Sequence, residues 1–248
     1  LVTILISCSQ VEQNLEIPLA KQGVLDLRDW DFERNGSLKL NGDWEFYWNK
    51  NILFEIDSPK EKEFIWVPGK WNDLKIANPQ TIPGHGYASF KLKVLVPPNG
   101  NDLGFYIEDG QGSAYVMYID GELVAKNGKP SLEADSERAI YLTQYGKIYT
   151  ENKSSLDVVM IISNHVHKNG GFQTPIKIDT AERIFVSKQR NYFFQIFLLG
   201  VLLIIALYHL SLFFYRKKDT SALWFGILCL VMTIRLVFTG ERLFMQMF

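Results

Sequence analysis

The sequence predicts an all-β sandwich followed by transmembrane α-helices. Two observations carry the β reading. Asn-Gly and Asp-Gly pairs recur through the first three quarters of the chain, and the short runs between them carry strand character. One observation carries the membrane reading: from residue 193 onward the chain is almost wholly apolar.

The turn pairs are Asn35-Gly36, Asn41-Gly42, Asn99-Gly100, Asp109-Gly110, Asp120-Gly121, Asn127-Gly128 and Asn169-Gly170. Both residue types tolerate positive φ, which tight turns require. Between them, Phe90, Leu92, Val94 and Val96 alternate with Ser89, Lys91, Lys93 and Leu95, the period of a strand with one buried face. Residues 44–48, 63–67, 103–108, 114–120 and 156–163 are the other strand candidates. Many short strands joined by turns, with little helix, fold as a sandwich or barrel. At the end of this region Asp179 reads as a helix N-cap, with Glu182 at the capping-box position. The helical pattern then continues from Thr180 into the apolar region. Residues 181–191 hold only one Gly, Ser or Pro, namely Ser187, so a stiff helix is expected there rather than a flexible linker.

Residues 193–215, 23 in number, contain no Asp, Glu, Lys or Arg. At about 1.5 Å per residue they cross a hydrocarbon layer of about 30 Å. Residues 221–238 form a second span, with Arg235 near its far end, where its side chain can reach an interface. Residues 180–192 are the expected juxtamembrane helix. Three basic residues precede the first span (Arg183, Lys188, Arg190) and three follow it (Arg216, Lys217, Lys218), so counting charges leaves the orientation tied. The tightness of the second cluster and the character of the N-terminus favour an extracytoplasmic, periplasmic polar domain. Residues 1–8, Leu-Val-Thr-Ile-Leu-Ile-Ser-Cys, read as the tail of a secretory signal. They also resemble a bacterial lipobox, which makes Cys8 a candidate for lipidation.

A formal net charge of −1 gives no basic footprint for nucleic acid. The two cysteines, Cys8 and Cys229, lie in different apolar segments and are not expected to pair.

The order of several segments is similar to a known family. These are residues 24–32 (Val-Leu-Asp-Leu-Arg-Asp-Trp-Asp-Phe), 40–48 (Leu-Asn-Gly-Asp-Trp-Glu-Phe-Tyr-Trp), 67–71 (Val-Pro-Gly-Lys-Trp), 86–90, 118–121 and 163–171. Together they resemble the extracytoplasmic jelly-roll domain of bacterial seven-transmembrane receptors with diverse intracellular signalling modules. They are also similar to the galactose-binding-like domain at the front of many family 2 glycoside hydrolases. The apolar region, with Leu207-Tyr208-His209-Leu210, Arg235 and Thr239-Gly240-Glu241, resembles the start of the same receptors' helical region. The resemblance implies a ligand-binding jelly roll over residues 24–179 and a missing cytoplasmic output, a cyclase, kinase or phosphatase. Two of seven helices are present, so it also implies a truncated receptor.

Candidate ligand contacts are Trp71, His85, Tyr87, Asn164, His165 and His167. Trp71 and Tyr87 lie beside Gly- and Pro-rich turns and are the expected exposed aromatic pair; the bland alternative is core packing. His165 and His167 would share one face of a strand, but a zinc site needs further ligands, and no metal is expected. Glu108-Asp109 would point to opposite faces, and Asp29 and Asp31 share a strand parity but lie in the motif that resembles the entry of the domain, so no hydrolytic pair is expected. No catalytic residue and no cofactor is expected within this chain. The expected partners are the membrane, a small ligand of carbohydrate type, and a second copy through the transmembrane helices. The alternatives are a membrane-anchored protein-interaction module and an accessory domain of a membrane-tethered glycoside hydrolase.

Overall fold

The computed structural model describes residues 16–53, 62–72, 74, 81–97, 101–108, 111–218 and 220–238. Cys8 and the turn pairs at 99–100 and 109–110 lie outside the described residues. In chain order the elements are β1 (Val24–Asp26), α1 (Phe32–Asn35), β2 (Leu38–Lys39), β3 (Gly42–Trp48), β4 (Glu63–Val67), β5 (Gly69–Lys70), β6 (Gly86–Leu95), β7 (Leu103–Ile107), β8 (Ala114–Ile119), β9 (Glu122–Asn127), β10 (Gln144–Ile148), β11 (Ser155–Asn164), β12 (Gly171–Phe172), β13 (Lys177–Thr180), α2 (Ala181–Tyr215) and α3 (Thr220–Phe238).

A seven-stranded sheet runs β4-β3-β6-β11-β8-β9, with β1 beside β6, and a four-stranded sheet runs β10-β7-β13-β2. Their inner faces interdigitate, which is the expected β-sandwich. Strand alternation sets the core. Phe90, Leu92, Val94 and Val96 are all at most 2% exposed, and they meet Met160 and Ile162 of β11 and Phe105 and Ile107 of β7 in one hydrophobic cluster. The intervening Ser89 and Tyr87 face the other way, against Val116, Val159 and Ile161. The β8–β9 hairpin turns at Asp120 (φ 51°) and Gly121 (φ 83°), the left-handed pair that the Asp-Gly signal predicts. Asn41-Gly42 instead opens β3. There the backbone of Ala20 approaches so closely that a Cβ on Gly42 would lie 2.3 Å from the Ala20 carbonyl oxygen.

α2 is a single 35-residue helix, about 52 Å long at 1.5 Å per residue. Its cap differs from expectation. Asp179 is still paired in β13, opposite Gly104, and the N-cap is Thr180, whose hydroxyl accepts from the Arg183 N–H at 3.4 Å. Sheet pairing therefore holds Asp179 extended and moves the helix start by one residue.

α2 and α3 form an antiparallel hairpin. Small residues, Ala206, Gly226, Cys229 and Thr233, are buried along its seam, as favours close helix approach in a bilayer, together with Gln195, whose amide donates to the Leu236 carbonyl at 3.3 Å. A Cβ on Gly226 would lie 3.0 Å from Leu210. Large apolar side chains elsewhere on the pair face outward: Phe193 is 71% exposed, Ile204 69% and Trp224 66%. Both helices are long and apolar enough to cross a membrane.

Candidate functional site

The sandwich meets the membrane helix without a linker. β13 pairs with β7 through Thr180, and α2 begins at the next residue. The first turns of α2 lie on the outer face of the four-stranded sheet. Gly104, on that face, provides a notch for Ile184; a Cβ there would stand 2.8 Å from the Ile184 Cβ. One turn on, the Lys188 ammonium lies over the Tyr145 ring, 5.1 Å from its centroid.

Arg183 ties three elements together. Its guanidinium donates to the Phe32 carbonyl and, at 2.9 Å, to the Glu33 carbonyl of α1, and it stands 3.8 Å from the Asp179 carboxylate. α1 is positioned for this by Asp31, which caps it by accepting from the Glu33 and Arg34 N–H groups. Asp31 therefore does not share a strand face with Asp29, contrary to the parity expected from sequence. The reason is that an aspartate ahead of a short turn satisfies orphan helical N–H groups more readily than it extends a strand.

Asp179 is 7% exposed. Burial raises its pKa above the ordinary 3.8, with Glu33 adding to the rise, against the lowering effects of the Thr180 N–H and Arg183. The folded state thus binds this proton more tightly than the unfolded chain does. The group's stabilising contribution is complete below pH 3.8 and is lost as pH rises through the raised value. Asp179→Asn keeps an oxygen for the Thr180 N–H. Its melting temperature is expected to depend less on pH across the acidic range than that of the wild type, read by thermal denaturation of both proteins.

Beside this junction is a cavity of about 310 Å³, lined by Arg28, Asp29, Trp30, Glu33, Asn101 and Thr180 among others. It combines an indole and a hydrophobic wall with carboxylates, an amide and a guanidinium, and it reaches the N-cap of α2. A second recess, of about 370 Å³, lies between the outer face of the four-stranded sheet and α2.

The residues expected from sequence occupy a different end of the molecule. Trp71 is fully buried, with its Nε1 donating to the Gly84 carbonyl at 3.1 Å. Asn164 is also fully buried; its amide donates to the Gly84 and His167 carbonyls at 2.9 and 2.7 Å and accepts from the His167 N–H. Trp71, Asn164, His167 and the segment holding His85 are thus brought together, but as a clasp between loops. Trp71 is not the exposed ring expected, because Gly170 lies flat against it: a Cβ there would be 2.3 Å from the indole. Tyr87 is likewise 5% exposed, since the chain after β3 folds over the sheet and packs Ile52 and Leu53 beside it. That burial pushes its phenol up to about 12. His165 and His167 follow the end of β11 in a bend, so strand alternation does not apply to them. His165 Nε2 lies 3.0 Å from the Ser131 carbonyl, and the exposed His167 has its Nε2 2.8 Å from the Tyr141 hydroxyl. His85 is exposed. Among the described residues no three His, Cys, Asp or Glu side chains are grouped to hold a metal ion.

Arg183 stands in the sequence only as one of the charges before the first span, and Gly104 and the α1 carbonyls carry no motif. The signal that marks Arg183 is a basic residue in the first turn of a helix, where the macrodipole disfavours it.

One known family matches the helical part of the chain. Residues 191–248 match the family described as 7TM diverse intracellular signalling. The resemblance to seven-transmembrane receptors expected from the sequence is borne out in this segment, and the chain is a membrane protein. No curated protein matches the chain. Among solved structures, the chain is similar to a β-glucuronidase of Faecalibacterium prausnitzii, at 11% identity and a TM-score of 0.44, over 57% of this chain and 31% of that one. It is also similar to a GH2 β-galacturonidase of Eisenbergiella tayi bound to galacturonate, at 14% identity and a TM-score of 0.39, over 58% and 24%. A third is a β-galactosidase-like protein of Bacteroides fragilis, at 15% identity and a TM-score of 0.40, over 57% and 22%. The chain spans less than a third of the length of each.

Proposed function

We propose that this chain is the sensor region of a membrane receptor. The sandwich, on the extracytoplasmic side, binds a small polar ligand of carbohydrate type. α2 carries the resulting change across the membrane toward an output domain on the cytoplasmic side. The observation that carries this reading is the direct passage of β13 into α2, fastened by Ile184 in the Gly104 notch and by Arg183 on α1. A tether for an otherwise independent domain has no use for such stiffness, whereas a ligand can shift a membrane helix only through differential contacts with its two states.

The cavity beside α1 supports the site. A ligand there would touch both α1 and the Thr180 cap, the two ends of the Arg183 link. Carboxylate and amide groups beside an aromatic wall suit a polyhydroxylated ring, whose hydroxyls take planar polar partners while its C–H face lies on the indole. Residues 24–179 then form the ligand-binding domain, 180–192 the rigid connector, and 193–215 and 221–238 the first two spans.

Calorimetric titration of the whole chain in nanodiscs against neutral and acidic sugars tests the ligand class. Binding is expected for at least one sugar, with an Asp29→Ala/Asn101→Ala variant weakened about tenfold, roughly 1.4 kcal/mol. Silence across the panel, or binding untouched by the double variant, would remove the carbohydrate assignment or move it to another site.

A further inference from the structure

The recess of about 370 Å³ between α2 and the four-stranded sheet sits at an informative height. Its walls are Tyr106 and Tyr145 from the sheet, Lys177 at one side, and Ser187, Arg190 and Asn191 from the helix. The apolar run starts at Phe193. At about 1.5 Å per residue, Arg190 lies roughly 4.5 Å and Lys188 roughly 7.5 Å above it. The headgroup layer on each side of a bilayer is roughly 5–8 Å deep, so both cations lie within it.

The charges in and around the recess do not cancel. Lys177 stands 3.6 Å from Glu108, and Asp179 stands 3.8 Å from Arg183, so these four are matched. Arg190 has no carboxylate partner among the described residues. Lys188 is engaged there by aromatic rings, with Tyr145 at 5.1 Å and Tyr192 at 5.9 Å. Two cations therefore remain in surplus at the depth where phosphodiesters are concentrated. Tyrosines line the same level, with the Tyr106 and Tyr145 rings 4.9 Å apart. Tyrosine is a residue of membrane–water interfaces because its ring is apolar and its hydroxyl is wet.

We propose that this recess holds the headgroup of an anionic phospholipid from the leaflet facing the sandwich. The Arg190 guanidinium would take two phosphate oxygens at once, as its planar fork allows. Lys188 would add a second charge. The Ser187 hydroxyl and Asn191 amide would meet the remaining headgroup oxygens. Because the recess is walled by both sheet and helix, a bound lipid fastens the sandwich against the bilayer, and the lipid composition sets how firmly the sandwich and α2 move together.

The test uses the whole chain in nanodiscs of mixed phosphatidylglycerol and phosphatidylcholine, released and weighed by native mass spectrometry. Wild type is expected to retain phosphatidylglycerol. Lys188→Ala/Arg190→Ala should lower the retained fraction at least fivefold, while Arg216→Ala/Lys217→Ala, at the other end of α2, lowers it less than twofold. Equal losses in the two variants, or no retention by wild type, would overturn the site. A second measurement needs no substitution. Phosphatidylglycerol carrying a photoreactive group on its headgroup should cross-link within residues 187–191. Cross-links confined to residues 196–214 contradict the proposal, as does displacement by soluble glycerophosphoglycerol, which would make the ligand a free phosphodiester.

Discussion

Arg183→Ala is expected to destabilise the junction between sandwich and membrane helix by about 2–3 kcal/mol, without unfolding the sandwich. Three losses act together. The Glu33 carbonyl loses its guanidinium donor, the Phe32 carbonyl keeps only the Gly36 N–H, and the Asp179 carboxylate is left buried with the Thr180 N–H. Arg183 itself is partly exposed, which keeps the effect below the ~3–5 kcal/mol of breaking a fully buried pair. Arg183→Lys should restore less than half, since an ammonium cannot span two carbonyls with the geometry of a planar fork. Hydrogen exchange reads the outcome directly: protection should fall in α1 and in the first two turns of α2 and stay unchanged in β6 and β11. Uniform loss across the chain would mean that Arg183 supports the whole fold rather than the junction.

Trp71→Ala should cost more, about 3–5 kcal/mol, and act on the sandwich as a whole. The indole is fully buried between Trp48, at 5.3 Å, and Phe90, at 6.3 Å, and it holds the loop at Gly84 through its N–H. No neighbour can fill the space, because Gly170 closes it with backbone. For a domain of this size the melting temperature should fall by roughly 10 °C. Trp71→Phe keeps much of the volume but loses the N–H, and is expected to recover about half of the loss. If Trp71→Ala left the fold intact and affected only ligand binding, the ring would be a contact residue after all.

The sequence was readable where one face of a long strand meets the core. β4 spans Glu63–Val67 as expected, and the ends of β6, β8 and β11 lie no more than three residues from the predicted ones. In β4 and β6 alternation leaves little choice of face, whereas β8 and β11 are legible as continuous apolar runs that are buried on both faces. The two-residue strands β2, β5 and β12 could not be read, because two residues carry no period and their pairing partners are distant in sequence. The candidate site fared worse for a related reason. Both recesses are assembled from segments far apart along the chain, with Glu33 beside Thr180 and Tyr106 beside Arg190. Gly- and Pro-rich surroundings suggested exposure for Trp71 and Tyr87, yet the same glycines let backbone close over one ring, and the residues after β3 covered the other. Small residues beside an aromatic ring permit a binding groove and a tight core contact equally well, and only tertiary structure separates the two.

The central claim is that sandwich and membrane helix move as one unit. Spin labels at Glu122 on β9 and Gln189 on α2, both exposed, test it by electron–electron distance measurement on the whole chain in nanodiscs. A single narrow distance distribution is expected in the wild type, broadening in Arg183→Ala. A broad distribution in the wild type would contradict the claim, because a sandwich that swings freely on its helix cannot pass a small shift through the membrane.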